Sequence, residues 1–192
     1  MEDDLSRRIA RRVRELRAAS GLSLEALAGH SGVSRSMISL IERGESSPTA
    51  VVLERLATSL GVPLASLFDA PAANAQPVAH RADQSQWRDP GSGYVRRNVS
   101  PAGFPSPIQI SEIELPAGAH VAFETGARDV AIHQQVWVLE GAIEVSVGDE
   151  QHTLQQGDCL AMVLDRPTAF HNRMRKGARY AVIIVSESKR AR

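Results

Sequence analysis

The period of apolar positions changes near residue 68. Before it, Leu5, Ile9, Val13 and Leu16 recur at helical spacing, with Arg7, Arg8, Arg11, Arg12 and Arg14 on the other faces. Gly21 ends that helix. Ser23 caps a short helix from Leu24 to about Ser31, and Gly32-Val33 turns the chain. Ser34 caps the next helix, Arg35 to Arg43, which stops at Gly44. After a break at Ser46 to Thr49, Val52, Leu53, Leu56 and Leu60 form a fourth apolar stripe that closes at Gly61. Pro63 to Phe68 predicts a short fifth helix, with proline well placed at its first position.

Asp69 to Pro77 carries two prolines and no large apolar residue, the composition of a linker. Beyond it the pattern is that of strands: Tyr94 to Val99, Ile108 to Leu115, His120 to Phe123, Val130 to Leu139, Ile143 to Val147, Cys159 to Leu164 and Arg179 to Val185. Alternation is plain in Ile143-Glu144-Val145-Ser146-Val147. Many short strands joined by glycine turns imply a β-sandwich or barrel. The chain therefore divides into a helical domain at residues 1–68, a linker at 69–77 and an all-β domain at 78–192.

Charge narrows the reading. The 192 residues hold 22 basic and 22 acidic side chains; nine and eight of them precede residue 69, so neither half is a polycation. Nucleic-acid binding must then rest on a local face and not on bulk charge. The single cysteine, Cys159, forms no intramolecular disulfide and suits a reducing compartment; a buried strand position is expected for it. No signal-peptide core or membrane-length apolar run is present, so a cytoplasmic protein without membrane contact is expected.

Leu24 to Ile41 follows the steric logic of a helix-turn-helix. Ala28 is small at the helix crossing, Gly32 supplies the turn, and Leu27, Val33, Ile38 and Ile41 pack between the helices. Leu22-Ser23-Leu24-Glu25-Ala26-Leu27-Ala28, Gly32-Val33-Ser34, Ile38-Ser39-Leu40-Ile41-Glu42-Arg43-Gly44 and Pro48-Thr49 together resemble the XRE family, the lambda-repressor-like five-helix domains. That resemblance implies that the third helix reads operator DNA with Arg35, Ser36, Met37 and Ser39, while Ser23, Ser34 and Arg43 approach phosphates. Arg35 is the chief candidate for base readout, since a guanidinium can bond both acceptors of guanine. Arg17 and Glu42 fall where such domains hold a helix-bridging salt bridge. Leu24 departs from the family's usual polar residue there.

In the second half, Val136 to Val145, Leu154 to Cys159 and Phe170-His171-Asn172 resemble the cupin barrel, a double-stranded β-helix. Cupin enzymes hold a metal through paired histidines, a glutamate and a later histidine. Here only His171 has a counterpart. The glutamate position is Gln134, and residues 126–130, where the paired histidines would fall, contain none. His133 should point away from Gln134 by strand alternation. No metal and no cofactor are expected, because about three inward ligands are the usual minimum. A small-molecule effector pocket near Arg128, Gln134, Trp137 and His171 is expected instead, with Trp137 and Phe170 also readable as core aromatics. The implied protein is a homodimeric transcriptional regulator, not an enzyme, that binds double-stranded operator DNA, its metal-free cupin domain sensing a small molecule or serving dimerisation. The alternative is a metal-dependent cupin dioxygenase or isomerase with an appended DNA-binding head.

Overall fold

The computed structural model describes residues 2–68, 76–124 and 131–186, so most of the expected linker lies outside the described residues. Four α-helices come first: α1 (Glu2–Ala19), α2 (Leu24–Ser31), α3 (Arg35–Glu42) and α4 (Ala50–Ser59). Leu5, Ile9 and Val13 of α1 are buried against Leu27, Ile38, Ile41, Leu53 and Leu56, the inward stripes of the other three. Each short helix starts on a side-chain cap. Ser23 accepts from the Ala26 N–H, Ser34 from Met37 and Thr49 from Val52. Gly32 closes α2 at φ 65°, where a Cβ would meet nothing; the left-handed backbone itself is what asks for glycine.

The expected fifth helix is not an α-helix. Leu64–Phe68 is a single 3₁₀ segment, so the helical domain has four α-helices and a tighter closing turn. At three residues per turn, Leu64 eclipses Leu67 and Ala65 eclipses Phe68. All four are buried, which a segment this short could not achieve with one α-helical stripe.

The second half is two antiparallel sheets. The first contains β1 (Gln86–Arg88), β2 (Val95–Asn98), β3 (Ile108–Leu115), β10 (Ala178–Ser186), β5 (Ile132–Glu140) and β8 (Cys159–Val163), in that spatial order. The second runs β4 (His120–Phe123), β9 (Thr168–His171), β6 (Ala142–Val147) and β7 (Glu150–Gln155). The expected closed barrel is corrected here: the hydrogen-bonded ladders end at β1 and β8 on one side and at β4 and β7 on the other, leaving a cupin-like sandwich. Alternation sets the faces. Ile132, Gln134, Val136 and Val138 of β5 turn inward and the intervening residues outward. Gly141, at φ 78°, makes the β5–β6 corner; a Cβ there would sit 3.3 Å from the Ala178 Cα.

The two halves share one apolar core. The Phe68 ring packs at 5.5 Å on Trp87, which packs at 5.8 Å on Tyr94, and the Arg96 guanidinium lies 5.2 Å over Phe68. Polar ties run alongside. The Ala50 N–H donates to Asp89 at 2.8 Å, Asn98 donates to the Phe68 carbonyl at 3.4 Å, and Arg55 meets Glu124 at 2.6 Å. Among the described residues no helix is long and apolar enough to cross a membrane.

Candidate nucleic-acid interface and interior cavity

On α3 the apolar residues Ile38 and Ile41 are buried, which forces the opposite side outward. Ser34, Arg35, Ser36 and Met37 are all exposed, Met37 at 37%, and Ser39 is half-buried. Ser23 is exposed at the start of α2 and Arg43 at the end of α3. Arg17 fixes this unit from behind. Its guanidinium donates twice to Glu42, at 2.6 and 2.8 Å, and once to the Leu22 carbonyl at 2.9 Å. The hydrogen bond to Glu42 pushes the Arg17 pKa further up, so the bridge keeps its charge.

The outward arginines are each beside an acid. Arg43 donates to Glu45 at 2.8 and 2.9 Å and also to Ser39 Oγ, which holds the Glu45 carboxyl below its ordinary range. Arg35 lies 4.0 Å from Glu25. Both pairs are well exposed, so neither ion pair holds its guanidinium strongly.

Inside the β domain a cavity of about 60 Å³ remains between the sheets. Its wall is mainly apolar, from Val121, Phe123, Phe170 and Ile184. Gln134, Tyr94, Tyr180, Thr168 and Arg96 add polar groups, and two residues come from the helical domain: Glu54 of α4 and Leu64. Burial drives the Tyr94 hydroxyl pKa up; Arg96 pulls it back, while Asp89 and Glu54 add to the rise. Tyr180 is raised by burial too, with smaller effects from Tyr94 and Arg96. Both phenols stay neutral and can donate.

Residues 8–68 match the family model described as a helix-turn-helix domain. The HTH-type transcriptional regulator SutR of Escherichia coli (strain K12) is 29% identical over 174 residues, spanning 88% of this chain and 90% of that protein. A crystal structure of an HTH_3 family transcriptional regulator from Vibrio cholerae superposes with a TM-score of 0.75 at 26% identity, covering 98% of this chain and all of that one. The Cupin_2 domain of an XRE family regulator from Enterobacter cloacae covers 50% of this chain at 19% identity and a TM-score of 0.43, and 98% of that domain. The first third of the chain thus matches a helix-turn-helix domain, and the chain as a whole is similar to transcriptional regulators of that type.

The cupin residues expected around a pocket scatter. Gln134 is 7% exposed and lines the cavity. Trp137 does not; three positions on along β5 it faces outward, 48% exposed, and so is neither pocket nor core. His171 is also displaced from the expected place. Phe170 takes the inward position on β9, and His171 turns to the outer face beside His120, Glu144 and Arg173. Arg128 lies outside the described residues. Cys159 is exposed, not buried, because it pairs with Trp137 on the outward side of β8. No group of three or more metal-ligating side chains occurs among the described residues. The cavity's Glu54 and Arg96 escaped the sequence reading. Glu54 sits in the inward stripe of α4, where a charge between Leu53 and Leu56 was the one available signal.

Proposed function

We propose that this protein is a cytoplasmic, homodimeric transcriptional regulator that reads operator DNA through α3. Arg35 contacts bases, with Ser36, Met37 and Ser39 beside it, and Ser23, Ser34 and Arg43 hold phosphates. The observation that carries the reading is the exposed N-terminal turn of α3, braced from behind by the Arg17–Glu42 bridge, in a domain that matches a helix-turn-helix family. The regulator relatives support it across both domains.

The β domain pairs two copies and senses a small molecule. Support for pairing lies on the outer face of the six-stranded sheet, where Ile108, Trp137 and Val163 are exposed, with Ile110, Ile183 and Ala161 between them. These apolar side chains, interspersed with His133 and Gln135 on the same face next to the β8 edge, are of the kind that a second copy covers. Two joined heads would then meet half-sites about one helical turn apart. The protein performs no catalysis in this reading.

Selection from random duplexes with the full-length protein is the direct test. Enrichment of a two-fold symmetric sequence is expected; uniform retention of all sequences overturns the reading.

A further inference from the structure

The interior cavity belongs to both domains. Glu54, 6% exposed, comes from the helix that follows α3 by only a short connection, and Leu64 comes from the closing 3₁₀ turn. The remaining wall comes from the cupin sheets. A molecule lodged there touches the DNA-binding domain itself, with no relay between.

The wall also limits what that molecule can be. At about 60 Å³ the space holds roughly four water-sized groups. One carboxylate and one guanidinium contribute to it, Glu54 and Arg96, alongside the neutral donors and acceptors Gln134, Tyr94 and Tyr180. Their formal charges cancel. An ionic guest would leave a net charge in a buried site, whereas a neutral guest with both a donor and an acceptor leaves none. Glu54, Arg96, Tyr94 and Gln134 supply the polar part of the wall, and Phe123, Phe170 and Ile184 supply apolar surface.

We infer that this cavity is an effector site for a small, net-neutral molecule carrying a donor–acceptor head, of the primary carboxamide kind, and that Glu54 of the DNA-binding domain is one of its contacts. The inference rests on the sensing role assigned above to the β domain. Occupancy then biases the seating of α4 on the cupin domain, and with it the position of α3. Because coupling is reciprocal, operator DNA must change the guest's affinity by the factor by which the guest changes the operator's.

Three isosteric probes test this on the full-length protein: acetamide, acetate and acetamidinium, which share a shape and differ in charge. Acetamide should raise the melting temperature by about 3 °C at a tenfold excess over its Kd, with little effect of the two ions. It should also shift operator affinity at least about threefold, the low end of ordinary coupling. Glu54→Gln, a near-isosteric change, should weaken acetamide at least tenfold and abolish the shift. Glu54→Asp keeps the charge and should retain a reduced response, which guards against a variant that fails to fold. Equal acetamide binding by wild type and both Glu54 variants overturns the shared site while leaving a sensing β domain. Preference for either ion overturns the neutral guest. Binding of none of the three overturns both the site and the sensing role.

Discussion

The carboxylate of Asp89, at the end of β1, accepts the free backbone N–H of Ala50 in the first turn of α4 at 2.8 Å. Its other oxygen accepts from the Ser92 N–H and hydroxyl at 2.7 and 2.6 Å, so a residue only 3% exposed is fully engaged. Thr49 caps the same helix from within its own domain, and Asp89 adds a second cap from across the interface. Asp89→Ala removes an acceptor from buried donors and should cost about 1–3 kcal/mol. Denaturant titration of the two proteins checks this, with Asp89→Asn, which keeps one acceptor oxygen, falling between them.

Arg35 and Arg43 should fail differently. Arg35→Ala is expected to relax base preference at one position per half-site, a loss of about 1–3 kcal/mol in discrimination. Arg43→Ala should weaken all sequences alike and flatten the salt dependence by about one counterion. Binding to a panel of point-mutated operators at several salt concentrations separates the two.

Glu45 holds the guanidinium of Arg43, the residue proposed to meet phosphate. Glu45→Gln should raise affinity for any duplex several-fold, because it frees the guanidinium and removes a nearby negative charge. The same release follows from acid. The Glu45 carboxyl is held low by the Arg43 hydrogen bond, so the pair persists above the unfolded pKa and is lost as pH falls through the lowered folded value. Affinity measured in wild type and Glu45→Gln should converge at that acidic end.

Trp137 tests the pairing face. Trp137→Asp places a charge beside Ala181 and Cys159 on the outward face and is expected to shift the protein towards monomer by at least tenfold in Kd. Its fold should survive, since the side chain is 48% exposed. Sedimentation velocity reads the first effect and circular dichroism the second.

Phe68 ties the domains together through Trp87, Arg96 and Asn98. Phe68→Ala should cost about 3–5 kcal/mol. Wild type should unfold in one transition by calorimetry, because the cluster from Leu5 to Ile184 is continuous. Two separated transitions would mean that the interface contributes little.

Much of this was legible beforehand. The helix bounds of α2 and the starts of α3 and the closing turn follow from Ser23, Ser34, Gly32 and Pro63, residues whose local chemistry acts in any context. The strongly alternating strands β3, β5 and β6 were equally clear. Three strands were not. β1 has three residues, β9 has four, and β7, Glu-Gln-His-Thr-Leu-Gln, buries only Leu154, so none carries a period. The exposed face of α3 follows from its buried Ile38 and Ile41. The cavity does not, because its composition depends on which of Phe170 and His171 points inward, and on Glu54 crossing from another domain. Tertiary register decides both.

The edge-packed Phe68, Trp87 and Tyr94 have a practical consequence. A chimaera that exchanged the helical domain for that of a relative, cut at the connecting segment, would have to refit both the aromatic joint and the contact between Asp89 and the start of α4. New DNA specificities are therefore more accessible by changing the outward residues of α3 than by swapping whole heads. The outward residues of α3 are free to change in a way that the seam behind them is not.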